Sequence, residues 1–145
     1  MSDYLDASAL VSVLLGEPTS RAVRAHLRLG SAEPIISSFG VGECSAAIAG
    51  LVVMGRKTES EAVALLTALD EWVATSATLG PIRDSDITEA NRIVRRFDLK
   101  LRLPDAIHVA TARRMNARLI TLDRRMAAAA NALGIACINP TEISV

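Results

Sequence analysis

An α/β fold built on a parallel sheet of about five strands is predicted by three features of the sequence. Short β-like runs alternate with longer stretches of helical period along the whole chain. The runs are separated by helices, which implies right-handed crossovers between parallel strands. Half of the 145 residues are hydrophobic and 22% are charged, so there is apolar side chain enough for a core and global disorder is excluded.

Each element has its own signal. Tyr4-Leu5 reads as the first strand and leads into Asp6. Ala7 to Leu15 is a short helix, stopped by Gly16 and Pro18. Thr19 is placed to cap a second helix through about Leu29, with Val23 and Leu27 four apart on one face. Pro34-Ile35-Ile36-Ser37 is a second strand. Ser38 to about Met54 is an Ala-rich third helix ended by Gly55. Thr58 with Glu61 forms a capping box that opens a helix to about Val73. Thr78 to Ile82 is a weak third strand. Asp86 with Glu89 marks a helix start running to about Phe97. Pro104 sits where a first helical residue is favoured, and Asp105 to Arg114 continue as helix. Leu119 to Leu122 is a buried-looking strand ending at Asp123. Arg124 to Leu133 is a helix closed by Gly134, and Ile135 to Ile138 is the last strand. There is no internal repeat or low-complexity linker, so residues 1–145 are expected to be one domain.

Composition removes several function classes. The formal net charge is zero, unlike a basic nucleic-acid coat. One Trp, one Tyr and two Phe are too few for a base-stacking platform. Cys44 and Cys137 are far apart, in no zinc-knuckle or disulfide pattern, and read as small buried hydrophobes. The N-terminus has no basic region or cleavage site of a signal peptide. No apolar run approaches the roughly 18 residues that span a bilayer. The expected compartment is the cytosol, with no membrane partner.

Most acids have a plain explanation. Glu59, Glu61, Asp70 and Glu71 lie on a polar helix face; Asp84, Asp86 and Glu89 look like capping or first-turn residues. Four others sit in apolar surroundings: Asp6, Glu43, Asp105 and Asp123. Asp6 and Asp123 fall at the carboxyl ends of strands, the edge where open parallel sheets bind ligands. Asp105 and Glu43 lie early in helices that point to the same edge. An Asp after a strand is often only a helix cap, which explains Asp6 or Asp123 singly but not Glu43 and Asp105. Four carboxylates in one small site raise each other's pKa values unless a cation neutralises them. All-oxygen ligands select Mg²⁺ or Mn²⁺, which can activate a water and steady the charge building on a phosphodiester.

In their order and spacing, Tyr4-Leu5-Asp6-Ala7-Ser8-Ala9-Leu10, Glu43, Leu103-Pro104-Asp105-Ala106-Ile107-His108 and Thr121-Leu122-Asp123 resemble the PIN-domain signature, and within it the VapC toxins of toxin–antitoxin pairs. The resemblance spans nearly the whole chain. It implies an α/β/α sandwich and a Mg²⁺- or Mn²⁺-dependent endoribonuclease, with RNA as substrate and a VapB-type antitoxin as inhibitor. The family's four acids map onto Asp6, Glu43, Asp105 and Asp123. Asp6, Asp105 and Asp123 are expected to form the inner metal shell, with Glu43 completing it directly or through water.

Other residues offer support. Ser8, two after Asp6, can bond a carboxylate or a water on the ion, or make a local turn. Thr121 resembles a hydroxyl the family often carries two before its last acid. His108 shares a helix face with Asp105, as a ligand, a proton shuttle or a packing residue. His26, between Arg24 and Arg28, reads as surface. Basic residues number five against nine acids up to Ile82, and eleven against seven from Arg83, which suits a basic rim beside an acidic centre. The apolar residues Leu51, Val52, Val53 and Met54, with Leu65, Leu66 and Leu69, suggest a groove for an antitoxin or a second copy, hence a homodimer and higher hetero-oligomers.

Three rivals compete. A receiver domain needs a lysine after its last strand, and the only lysines are Lys57 and Lys100. A haloacid-dehalogenase-type phosphatase needs Asp-x-Asp where this chain has Asp6-Ala7-Ser8. A catalytically silent PIN-like binding module is the non-enzyme alternative.

Overall fold

The computed structural model describes residues 1–30 and 32–143, and its five short strands form one parallel sheet. They are β1 (Asp3–Leu5), β2 (Ile35–Ser37), β3 (Thr78–Gly80), β4 (Arg118–Ile120) and β5 (Cys137–Ile138). Side by side they run β3-β2-β1-β4-β5. Leu5 lies opposite Ile36 on one side and Ile120 on the other. The order reverses direction between β1 and β4, so a crevice opens beyond their carboxyl ends.

The helices are α1 (Ala7–Leu15), α2 (Ser20–Leu29), α3 (Ser38–Val53), α4 (Glu59–Ser76), α5 (Asp84–Val94), α6 (Leu103–Arg114) and α7 (Arg124–Ala132). Strand alternation sorts them into two layers. Tyr4 and Leu119 face a core filled by Ala90 and Ile93 of α5, Ile107 and Val109 of α6, and Met126 and Ala129 of α7. The neighbouring Leu5, Ile36 and Ile120 face the opposite way, onto Ala9 and Leu10 of α1, Val23 of α2, Cys44 of α3 and Leu69 of α4. The fold is therefore an α/β/α sandwich. Among the described residues, no helix is long and apolar enough to cross a membrane.

Several local expectations hold in detail. Thr58 Oγ1 accepts from the Glu61 N–H at 3.1 Å, and the Glu61 carboxylate accepts from the Thr58 N–H at 3.0 Å. Gly16 and Gly134 end their helices at φ of 63° and 72°, where a Cβ would be strained.

Others need correction. Strand β4 stops at Ile120, so Thr121 and Leu122 belong to the following loop. Strand β5 is only Cys137–Ile138. Helix α5 begins at Asp84 and ends at Val94; Phe97–Leu99 is a separate 3₁₀ turn, closed by Lys100 at φ 55°. Thr19 makes no capping bond, because its hydroxyl is paired with Ser12 Oγ at 2.6 Å. His26 is not a free surface residue: it pairs with Asp3 at 2.9 Å and is mostly shielded. Cys44 is buried, which pushes its thiol up to about 12, but Cys137 is only half-buried, with its thiol pushed up to about 11. Leu69 is core; Val53 of α3, Met54 just after it and Val63 of α4 are large apolar residues left exposed.

Candidate active site

Asp6, Glu43, Asp105 and Asp123 line one cleft of about 200 Å³ at the carboxyl edge of the sheet, together with Ser8, Arg102, His108 and Met126. All four sequence-predicted acids thus meet in one place.

Asp6 follows β1 and caps α1, accepting from the Ala9 N–H at 3.1 Å. The cap and the site are one residue, because the chain turns from strand to helix at the edge of the crevice. Ser8 Oγ donates to both Asp6 oxygens, at 2.7 and 2.9 Å. Thr121 Oγ1 donates to Oδ2 at 2.5 Å. These hydroxyls also accept backbone donors of the β4–α7 loop: Leu122 N–H to Ser8, and Asp123 N–H to Thr121. Ser8 and Thr121 therefore tie Asp6 to the loop that carries Asp123. Burial raises the Asp6 carboxyl above its usual range, and the Thr121 and Ser8 bonds offset only part of that.

Asp123 caps α7, its Oδ1 accepting from the Arg125 and Met126 N–H groups at 2.9 and 3.1 Å. Asp105 projects from the first turn of α6. Its carboxyl is also raised, first by burial and then by repulsion from Asp123; Arg102, 3.7 Å away, works in the opposite sense. Glu43 comes from the second turn of α3 and its Oε1 shares a hydrogen bond with His108 Nε2. His108 does more than pack: it is 2% exposed and reaches both Glu43 and the Tyr4 hydroxyl. The spacing sets His108 near Asp105 but gives no signal for its partner Tyr4 on β1, or for Ser37 on β2, which bonds Tyr4.

As the side chains stand, no three His, Cys, Asp or Glu residues among the described ones converge closely enough to hold an ion. Each acid is turned toward a protein donor instead. The donor set nonetheless fits a hard cation, because it is all oxygen, faces one cleft and has raised carboxyls. The side chains of Asp105, Asp123 and Glu43 are part-exposed in the cleft.

The basic half of the chain is spread more widely than its composition suggests. Arg92 and Arg113 pair with Glu89, Arg114 with Asp86, Arg96 with Asp98 and Arg118 with Asp3. Arg102, Arg124 and Arg125 are the basic residues that line a wider cleft, of about 530 Å³, continuous with Asp105 and Asp123.

The family model of the PIN domain matches residues 4–132. The chain is 34% identical over 142 residues to the protein named Ribonuclease VapC46 of Mycobacterium tuberculosis, covering 95% of this chain and 97% of that one. It superposes on FitAcB from Neisseria gonorrhoeae with a TM-score of 0.68 at 18% identity, over 97% of this chain and 99% of that one. It superposes on VapBC2 from Rickettsia felis, solved with a promoter DNA fragment, with a TM-score of 0.73 at 15% identity, over 96% of this chain and 98% of that one. These solved structures share the fold.

Proposed function

The chain belongs to the PIN domain family, and from that premise we propose that it is a divalent-metal-dependent endoribonuclease, the toxin of a VapBC-type pair. The observation that carries this reading is the meeting of Asp6, Glu43, Asp105 and Asp123 in one cleft, with Asp6 and Asp105 raised. The whole chain, 1–145, acts as one PIN domain.

Asp6, Asp105 and Asp123 would hold Mg²⁺ or Mn²⁺, with Glu43 joining them directly or through water. Such an ion supplies a nucleophilic water and stabilises charge on the phosphodiester. The chain's own residues do the rest. Ser8 and Thr121 fix the Asp6 oxygens by hydrogen bonds, so that carboxylate needs no reordering. Arg102, Arg124 and Arg125 form a cationic approach along which a phosphate backbone can lie beside the acids. With few aromatics, selection among RNAs rests on backbone shape rather than stacking.

A VapB-type antitoxin would cover the exposed apolar residues Val53, Met54 and Val63. A cationic side chain from it, reaching the acids, would compete with the metal. The toxin alone is a cytoplasmic homodimer in this reading. A catalytically silent binding module is the second reading, and the intact set of four acids disfavours it. The deciding experiment is cleavage of RNA by purified protein. Activity with Mn²⁺ or Mg²⁺, abolished by EDTA and by Asp105→Asn, is expected. Cleavage that survives both treatments would overturn the proposal, and no cleavage of any RNA with either metal would favour the binding module.

A further inference from the structure

A string of buried polar groups runs from the sheet interior to Glu43. His108 lies one turn after Asp105 on α6, with its ring between Tyr4 and Phe39 at centroid separations of 5.8 and 5.3 Å. The Tyr4 hydroxyl donates to Ser37 Oγ at 2.9 Å and lies 2.8 Å from His108 Nδ1. The hydroxyl thus ties Nδ1 of the imidazole to Ser37. That leaves Nε2 facing Glu43 Oε1. Ser37 is anchored in turn by the Gly40 N–H, which donates to its Oγ at 2.9 Å. A Cβ at Gly40 would lie 3.3 Å from Ser37 Oγ and 3.6 Å from His108 Cε1. The tightest contact would be Ile36 Cγ1 at 3.2 Å, so glycine keeps the start of α3 close against β2.

We propose that His108 is a positioning residue that fixes the Glu43 carboxylate in the cleft, with Tyr4 and Ser37 aligning the imidazole for that task. The proposal rests on the reading of the cleft as a divalent-cation centre. Asp6 is held by two hydroxyls and Asp123 by helix N–H groups. Glu43 is different, since it projects on a longer side chain from the second turn of α3, with His108 as its hydrogen-bond partner. His108 supplies the missing hold. The four groups come from β1, β2, α3 and α6, so no single element's own stability accounts for their alignment.

The test is a double-mutant cycle on Mn²⁺ binding, measured by calorimetric titration of the full chain. Partners outside a metal's ligand shell commonly set about 10–100-fold of affinity. Tyr4→Phe removes only the hydroxyl and is expected to weaken Mn²⁺ binding about tenfold; in a Glu43→Gln background the same change is expected to cost less than about twofold. Equal losses in both backgrounds, or none in the first, overturn the proposal. If Tyr4→Phe folds poorly, His108→Ala and His108→Gln take its place. The glutamine, which keeps a donor near Nε2, is expected to recover part of the affinity that alanine loses, and equal affinities overturn the proposal. Nitrogen NMR reads the string without any ion. Nε2 is expected to carry the proton donated to Glu43 in the metal-free wild type; an unprotonated wild-type Nε2 overturns the clamp. A wild-type chain that binds no Mn²⁺ would remove the cation reading by itself, while the NMR result would still uphold or overturn the clamp.

Discussion

Asp6 and Asp86 are both buried at helix starts, with 2% and 1% exposure. Their partners differ in charge. Asp86 accepts from the Arg83 N–H and from two N–H groups of the Arg114 guanidinium, Nε and Nη2, at 2.6 and 2.9 Å. Burial pushes its carboxyl up, but the Arg114 contacts outweigh that and hold it below the usual range. Asp6 accepts from Ser8, Thr121 and a backbone N–H, all neutral donors, and its carboxyl stays raised. Hydrogen bonds alone do not neutralise a buried carboxylate. The α5–α6 clamp carries its own counter-charge and is structural. Asp6 has neutral donors only, and the missing counter-charge is what a cation or a basic partner can fill.

The largest expected effect separates the two regions by activity. Asp123→Asn is expected to lower RNA cleavage by at least about a thousandfold, since it removes a charge that the metal requires. Asp86→Ala is expected to leave the rate per folded molecule within about twofold, because the clamp touches no reacting group. Single-turnover cleavage, normalised to the folded fraction, checks both. A comparable loss in Asp86→Ala would erase the distinction.

Stability is expected to divide them the other way. Asp86→Ala leaves the Arg114 guanidinium without its carboxylate and is expected to cost about 3 kcal/mol. That is the low end for a broken buried pair, because Arg114 keeps some solvent contact. Urea unfolding measures it, and a loss under about 1 kcal/mol would reduce the clamp to an ordinary surface bridge.

The metal sharpens the contrast. Mn²⁺ at a hundred times its dissociation constant is expected to stabilise the wild type by about 2.7 kcal/mol, roughly 5–10 °C in thermal midpoint for a domain of this size. Asp86→Ala is expected to show the same shift from a lower starting point. The double variant Asp6→Asn/Asp123→Asn is expected to show none. A shift that persists there would place the ion elsewhere.

What the sequence made legible, and what it hid, follows the same division. The four acids of the cleft stand out because each is a charge in an apolar run, a local signal, and the sheet edge then gathers them. Asp86 looked like a first-turn cap, and it is one, yet its burial depends on Arg114, 28 residues away. His108 lies 104 residues from Tyr4 and 65 from Glu43, so spacing could not pair them. His26 looks like surface because its neighbours are arginines, while its partner Asp3 begins the central strand, 23 residues earlier. The end of β4 was misplaced because Leu122 is apolar like the strand before it. There the Ser8 and Thr121 hydroxyls capture the backbone N–H groups of Leu122 and Asp123, ending the strand for the sake of the site.

The smallest expected effect concerns Asp105 in the absence of metal. Its neighbours include Asp123 at the cleft and Arg102 at 3.7 Å, and the net result is a carboxyl raised in the folded chain. A raised folded value means that the folded state favours the protonated form. The stability this contributes is fully present below the unfolded carboxyl's range, about pH 4, and is lost as pH rises through the folded value. Near pH 7 the ionised Asp105 therefore opposes folding. Asp105→Asn, nearly isosteric and uncharged, is expected to stabilise the metal-free chain at neutral pH by about 0.5 kcal/mol, the scale of a part-exposed charge interaction. The advantage is expected to vanish near pH 3, where the wild-type carboxyl is protonated too. Adding Mn²⁺ at neutral pH is expected to reverse the order of the two, since the wild type then gains a ligand that the variant lacks. Paired urea titrations at the two pH values, with and without Mn²⁺, make the measurement. A variant less stable than wild type at neutral pH without metal would show that Asp105 already has its counter-charge, as Asp86 does.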